Sequence, residues 1–145
     1  MVRQILGFVL LLGIMSSVTY AASVNCKNGM EPCILPFHMS TLKSITIERS
    51  GRHNSQTGDN EVDCRAFQMT PSRVRNYLRY AGRITENNRH YTTSDSPCFA
   101  EGKLETKNGR YATWKIGILR EGELHWRYGE TIYLYCNVCA APFVK

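Results

Sequence analysis

The chain has 145 residues and a formal net charge of +6. That length suits one domain, which would bury roughly two-thirds of the surface that its unfolded chain exposes. Beyond the first 22 residues no apolar run is long enough for a membrane helix, which needs about 20 residues. The modest positive charge and the lack of a known nucleic-acid-binding motif disfavour nucleic acid as a partner.

The N-terminal segment resembles a removable export signal. Arg3 supplies a cation, residues 5–15 form an apolar run, and small residues lead to Ala21. This order predicts a cleaved secretory signal peptide over residues 1–21. We therefore expect an exported protein, either in a bacterial periplasm or outside the cell.

Six cysteines follow the predicted signal: Cys26, Cys33, Cys64, Cys98, Cys136 and Cys139. In an oxidising compartment they are expected to form three disulfides, although six cysteines allow about 15 pairings. The short spacing favours pairing of Cys26 with Cys33. A Cys64–Cys98 bond would link the two halves of the chain, and pairing of Cys98 with Cys136 or Cys139 is the alternative.

The first half of the mature chain is predicted to be mostly irregular or extended. Residues 22–41 contain two prolines and are expected to be irregular. A β-branched run predicts a strand over 42–49. Residues 50–61 read as an exposed polar loop, and a second strand is predicted over 62–69.

One short helix is expected over residues 71–82. Thr70 is a suitable N-cap and Pro71 a suitable first helical residue. Apolar residues then recur at helical spacing up to Gly82, which can end the helix. So short a helix needs a sheet to pack against.

The region from Cys98 to Cys139 shows the alternation typical of a half-buried sheet. It predicts a four-stranded antiparallel meander with strands over 98–107, 110–120, 124–128 and 131–136. Asn108-Gly109 predicts a type I′ hairpin turn, and residues 121–123 and 129–130 are expected to form the other two turns. The predicted fold is therefore a single small α+β domain over residues 42–145, with one helix packed on a disulfide-linked meander.

Cys136 and Cys139 form the only chemical motif in the chain, a Cys-x-x-Cys. A redox pair needs its first thiol at a helix N-terminus. Here a predicted strand precedes Cys136, and only six residues follow Cys139. A structural zinc site needs four ligands, and no second pair has a familiar spacing. We predict a structural disulfide with no metal or cofactor. An envelope thiol-disulfide or metal-linked protein is the alternative.

The sequence contains no nucleophile elbow, zinc-protease motif or phosphate-binding glycine loop. Glu121 and Glu123 are the nearest thing to paired carboxylates, and their position suggests a solvated turn. We predict that the protein is not an enzyme. A small enzyme acting on cell-wall glycan is the third interpretation.

Two surfaces are candidates for binding. Arg75, Arg79 and Arg83 are spaced four residues apart, which would place them on one ridge of the helix. If the apolar residues of the meander point inward, its outer face carries cations and tyrosines, the residue types common at interfaces. The outward residues are Tyr111, Lys115, His125, Arg127, Tyr133 and Tyr135.

Together these features predict an exported disulfide-bonded binding protein. The preferred partner is another protein, in an inhibitor or immunity-type role, because a rigid sheet loses little entropy on docking. An anionic glycan or lipid of the cell envelope is the other candidate partner. The open edges of such a sheet also leave homodimerisation open.

Overall fold

The computed structural model describes residues 33–57, 62–86, 88–89 and 96–139. The predicted signal peptide and Cys26 lie outside the described residues. The main elements are β1 (Leu42–His53), α1 (Pro71–Tyr80), β2 (Gly82–Ile84), β3 (Cys98–Thr106), β4 (Tyr111–Gly117), β5 (Glu121–Trp126) and β6 (Thr131–Tyr135). The strands form one antiparallel sheet in the order β1-β3-β4-β5-β6-β2. The fold is thus α+β and mostly sheet, in keeping with the predicted class.

The four consecutive strands β3 to β6 form the predicted meander. All of the side chains expected to point inward are buried: Trp114, Ile116, Ile118, Leu124, Trp126, Ile132 and Leu134. Because alternate residues of a strand lie on opposite faces, this set defines the inner face of the sheet, and the intervening residues define the outer face. The alternation in the sequence therefore predicted the core of the meander correctly.

Helix α1 packs against the inner face. At its N-terminus the backbone N–H of Arg73 donates to Thr70 Oγ1 over 3.2 Å, and proline occupies the first turn, as predicted. Val74, Tyr77 and Leu78 are buried. A Cβ atom at Gly122 would lie 2.6 Å from Tyr77 Oη, so glycine in β5 allows the helix to approach the sheet.

The helix is shorter than predicted, and a strand replaces its last turn. It ends at Tyr80 because Ala81 adopts an extended conformation, and Gly82 begins β2. Gly82 lies against residue 34, where a Cβ atom would be 2.0 Å from Ile34 Cγ2. The same Cβ atom would lie 2.8 Å from the Leu35 carbonyl oxygen, so glycine here allows the Ile34 side chain and the Leu35 backbone to approach β2 closely. Arg83 consequently lies on β2, and the predicted three-arginine ridge is wrong at this position.

Residues 50–69 differ most from the prediction. The predicted 50–61 loop is wrong at its start because β1 continues to His53, with Arg49 opposite Glu101 and Arg52 opposite Phe99. Between these pairs, two β1 residues, Ser50 and Gly51, lie opposite the single β3 residue Ala100. Gly51 adopts a φ of +62°, which this irregularity requires.

The predicted strand over 62–69 is wrong, since a short 3₁₀-helix occupies Cys64–Ala66. Asp63 caps this helix by accepting the backbone N–H of Arg65 over 3.0 Å. Phe67 and Met69, which follow the 3₁₀-helix, are buried in the core. The apolar residues of this segment are therefore core residues that do not belong to a strand.

Two of the meander turns also differ from the prediction. Gly109 has a φ of +79°, while Asn108 does not lie in the left-handed region, so the first turn is a three-residue turn ending in a glycine and not type I′. The β4–β5 turn lies over residues 118–120, and the predicted turn residues 121–123 belong to β5. At its end Arg120 adopts a φ of +76°. Its carbonyl accepts hydrogen bonds from Tyr77 Oη over 3.0 Å and from the backbone N–H of Cys136 over 3.1 Å, which hold this strained turn in place.

Two disulfides join described cysteines. Cys64 bonds to Cys98 and so links the 3₁₀-helix to β3, and Cys136 bonds to Cys139. The alternative pairing of Cys98 with the C-terminal cysteines is therefore wrong. Cys33 is also disulfide-bonded, and Cys26, its predicted partner, lies outside the described residues. In the part of the chain that the structure describes, no helix is long and apolar enough to cross a membrane.

Candidate functional site

The outer face of the sheet contains a groove that helix α1 does not cover. Cross-strand pairing places Lys103 beside Thr113 and Thr113 beside His125. The short threonine side chain between two longer ones leaves a depression. With Tyr111 and Arg127 at one end, this outer groove has a volume of about 440 Å³, and its lining consists of Lys103, Leu104, Tyr111, Ala112, Thr113, His125, Trp126 and Arg127. Three residues of the predicted binding set are thus brought together: Tyr111, His125 and Arg127.

Neighbouring side chains orient Tyr111 at one end of the outer groove. The side chain is 49% exposed, and its hydroxyl donates to Glu105 Oε1 over 3.0 Å. Lys43 Nζ donates to the same oxygen over 2.8 Å. These two hydrogen bonds hold the pKa of the Glu105 carboxyl below its usual value, that from Lys43 having the larger effect. The tyrosine ring therefore has a preferred orientation before any partner binds.

His125 is held on both sides of its ring. Nδ1 lies 2.8 Å from Thr131 Oγ1 and Nε2 lies 3.1 Å from Glu123 Oε2. Glu123 also forms an ion pair with Arg89, in which Oε1 of Glu123 lies 2.5 Å from Nη2 of Arg89. A network of charged and polar groups therefore fixes the imidazole at the rim of the outer groove.

The turns at the Tyr111 end add cations and aromatic rings. The guanidinium of Arg110 lies 3.9 Å from the centroid of the Trp126 ring, and that of Arg127 lies 5.2 Å from the Tyr128 ring. Tyr128 is 87% exposed. Within the described residues, neither arginine forms an ion pair with a carboxylate. This end of the outer groove is consequently basic and aromatic.

The remainder of the outer face is not simply basic, as the sequence interpretation supposed. Lys103 pairs with Glu48 and Arg49 with Glu101. The alternation in β3, where Glu101, Lys103 and Glu105 are spaced two apart, indicates that Glu101 lies on the outer face. Glu48 lies on β1 and has no such signal in the sequence.

Glu121 and Glu123 lie on the outer face of β5 rather than in a turn, contrary to the prediction. They line a small polar cleft of about 60 Å³ together with Ser96, Lys115 and Arg89. Oε2 of Glu121 is buried without a hydrogen-bond partner among the described residues. Burial raises the pKa of this carboxyl, while the Ser96 hydrogen bond and the charge of Lys115 act in the opposite direction.

The other predicted binding residues lie outside the outer groove. Tyr133 lies under the guanidinium of Arg89, at 4.7 Å, and Tyr135 lies 5.6 Å from that of Arg120. Lys115 Nζ lies 4.5 Å from the Phe99 ring. These three side chains are only partly exposed.

The three predicted ridge arginines are separated from the outer groove, and Arg83 on β2 is also separated from Arg75 and Arg79 on α1. Arg83 forms an ion pair with Glu130 at 2.9 Å. Arg75 and Arg79 are exposed on α1, which packs on the opposite face of the sheet. The predicted set is therefore divided between the two sides of the molecule.

The C-terminal disulfide lies at the end of β6. Cys136 is fully buried, and its Sγ accepts the backbone N–H of Cys139 over 3.1 Å. Residues 137–139, which are the last described residues, are not helical. Among the described residues, no group of three or more histidine, cysteine, aspartate or glutamate side chains is arranged to hold a metal ion.

No protein-family model matches the chain. Neither the curated proteins nor the solved structures give a significant match.

Proposed function

We propose that this chain is an exported, disulfide-bonded binding protein that recognises another protein through the outer groove, in an inhibitor or immunity-type role. The observation that carries the proposal is the outer groove itself. A concave site with oriented Tyr111 and His125 side chains lies on a sheet face that the helix leaves uncovered, and its Arg127 forms no ion pair within the described residues. Tyrosine and arginine are the residues that most often supply binding energy at interfaces.

The proposed partner presents carboxylates to the outer groove. Arg127 lines the Tyr111 end of the outer groove and forms no ion pair among the described residues, while Arg110 lines a smaller pocket of about 130 Å³ beside it. A partner that brings acidic groups to the outer groove would form charge-assisted hydrogen bonds with the Arg127 guanidinium. Because the tyrosine and histidine rings are already oriented, little side-chain entropy would be lost on docking.

In this proposal the cysteines serve the scaffold. An attacking thiolate must be accessible, and Cys136 is buried in the core. The Cys64–Cys98 bond holds β3, which contributes Lys103 to the outer groove, against the segment preceding α1. Export would supply the oxidising conditions that disulfides require.

The experiment is a capture assay with two matched double variants. The mature protein is immobilised and exposed to an extract of the cell envelope of the native organism, and retained proteins are identified by mass spectrometry. We expect Tyr111→Ala with Arg127→Ala to reduce the amount of the principal partner at least about tenfold. The control is Tyr80→Ala with Arg52→Ala, which removes a tyrosine of similar exposure, 57%, from α1 and an exposed arginine from β1.

The two double variants distinguish the sites. Loss of capture with the control pair and not with the outer-groove pair would contradict the proposal. Capture that neither pair changes would also contradict it. Thermal unfolding of both variants verifies that they remain folded.

A further inference from the structure

A second groove lies on the opposite side of the molecule from the outer groove. Residues 37–42 form one wall, and Arg75, Leu78 and Arg79 of α1 form the other. The volume of this helix groove is about 620 Å³. Phe37 and Met39 are partly buried and pack against the core, so the groove has an apolar floor beside two cations.

In the wall formed by residues 37–42, residues 37–41 precede β1 and belong to no strand. Burial alternates from Pro36 to Ser40, with Phe37 and Met39 turned toward the core and His38 exposed. On either side the backbone is paired, since Leu35 bonds to Arg83 and the Thr41 carbonyl accepts the N–H of Lys107. Among the described residues, no backbone hydrogen bond involves residues 37–40. These groups can accept a further extended chain.

The opposite wall carries uncompensated charge. Arg75 and Arg79 are one helical turn apart and exposed, and within the described residues neither forms an ion pair. Like charges at this spacing destabilise a helix by a few tenths of a kcal/mol. A carboxylate placed between the two guanidinium groups would remove that repulsion and form charge-assisted hydrogen bonds.

We propose that the helix groove binds an extended acidic peptide segment of a partner protein. The peptide pairs with the backbone of residues 37–40, places alternate apolar side chains on Phe37 and Met39, and directs its carboxylates to Arg75 and Arg79. An acyl chain with an anionic headgroup would use the floor and the arginines, but it would leave the backbone groups without partners. This inference does not depend on the outer groove or its proposed function.

The test measures binding of a labelled eight-residue peptide, in which valine and aspartate alternate, to the full chain by fluorescence anisotropy. Replacing Arg75→Gln and Arg79→Gln together is expected to weaken binding about tenfold, since each exposed charge pair contributes modestly. An Asn-for-Asp version of the peptide is expected to bind about as weakly. The control variant Arg52→Gln, which removes an exposed arginine that lines neither groove, leaves the affinity unchanged.

Two further measurements test the backbone pairing. A peptide methylated at alternate backbone nitrogens should lose binding, and hydrogen exchange at residues 37–40 should slow when the unmodified peptide binds. Equal binding of the methylated peptide, or displacement of the peptide by laurate without change in hydrogen exchange, would overturn the proposal in favour of an amphiphile site. Unchanged affinity in the Arg75→Gln, Arg79→Gln variant, with its thermal unfolding also unchanged, would overturn it as well.

Discussion

The two faces of the sheet are held by different kinds of interaction. On the inner face, Leu78 of the helix belongs to the same cluster of buried side chains as Trp114 and Leu124. On the outer face, exposed ion pairs such as Lys103–Glu48 and Lys43–Glu105 connect neighbouring strands. The inner face is thus buried and apolar, whereas the outer face carries charged side chains that are in contact with solvent.

This difference separates folding from recognition. Fully burying one large apolar side chain stabilises a protein by about 1.5–3 kcal/mol, whereas an exposed ion pair contributes about 0–1 kcal/mol. The free energy of folding therefore comes mainly from the inner face and its disulfide. Residues of the outer face can then be selected for binding with little effect on stability.

The largest expected effect is that of removing the Cys64–Cys98 disulfide, which links the 3₁₀-helix to β3. The Cys64–Cys98 bond closes a segment with a sequence separation of 34, and chain entropy predicts a loss of about 4 kcal/mol in the Cys64→Ala, Cys98→Ala variant. The control variant Cys136→Ala, Cys139→Ala opens a bond of separation 3, for which the same relation gives about 2 kcal/mol. Urea unfolding measures both free energies.

An equal loss in the two disulfide variants would contradict this ranking. It would mean that the long connection from residue 64 to residue 98 is already restricted in the unfolded chain. The Cys64–Cys98 bond would then contribute less to the free energy of unfolding than the length of the segment that it closes predicts.

The inner face was predictable because one strong rule determines it. Alternation in the last three strands of the meander identified residues such as Trp114 and Leu134 without knowledge of strand pairing. The contacts between side chains on the outer face depend on which strands pair and in which register, and the alternation pattern does not predict either. Glu48 reaches Lys103 only because β1 pairs with β3, and that pairing joins residues about fifty positions apart.

The incorrectly predicted elements depend on single local contacts. Asp63 caps a 3₁₀-helix in a segment whose composition favours a strand. Gly82 begins a three-residue strand because Ile34 packs against it, although glycine at that position also suits the end of a helix. A local cap at Asp63 and a tertiary contact at Gly82 thus each decide between two conformations that the local sequence allows.

Glu121 lies on the outer face, but its Oε2 is buried. We therefore expect its contribution to the free energy of unfolding to depend on pH. Because burial raises its pKa in the folded state, this residue favours folding fully below the unfolded pKa, near 4.5. That contribution is lost as the pH rises through the folded value. The Glu121→Gln variant should therefore gain stability relative to the wild type between pH 4 and pH 7, with a slope of at most about 1.4 kcal/mol per pH unit.

Urea unfolding at several pH values measures this difference. The control is Glu123→Gln, whose carboxylate is paired with Arg89 and whose removal should not produce a gain at neutral pH. A difference between Glu121→Gln and wild type that stays constant with pH would show that the carboxyl of Glu121 is as well solvated as an ordinary surface group.

The smallest expected effect is that of an outer-face ion pair. A double-mutant cycle with Lys103→Gln and Glu48→Gln isolates the interaction between two side chains that are 64% and 41% exposed. We expect a coupling free energy of about 0.2–1 kcal/mol, falling as salt screens the charges. A coupling above about 2 kcal/mol that persisted in high salt would be typical of a desolvated pair. In that case Lys103, which lines the outer groove, would be needed for folding, and the separation of recognition from stability would not hold at the proposed site.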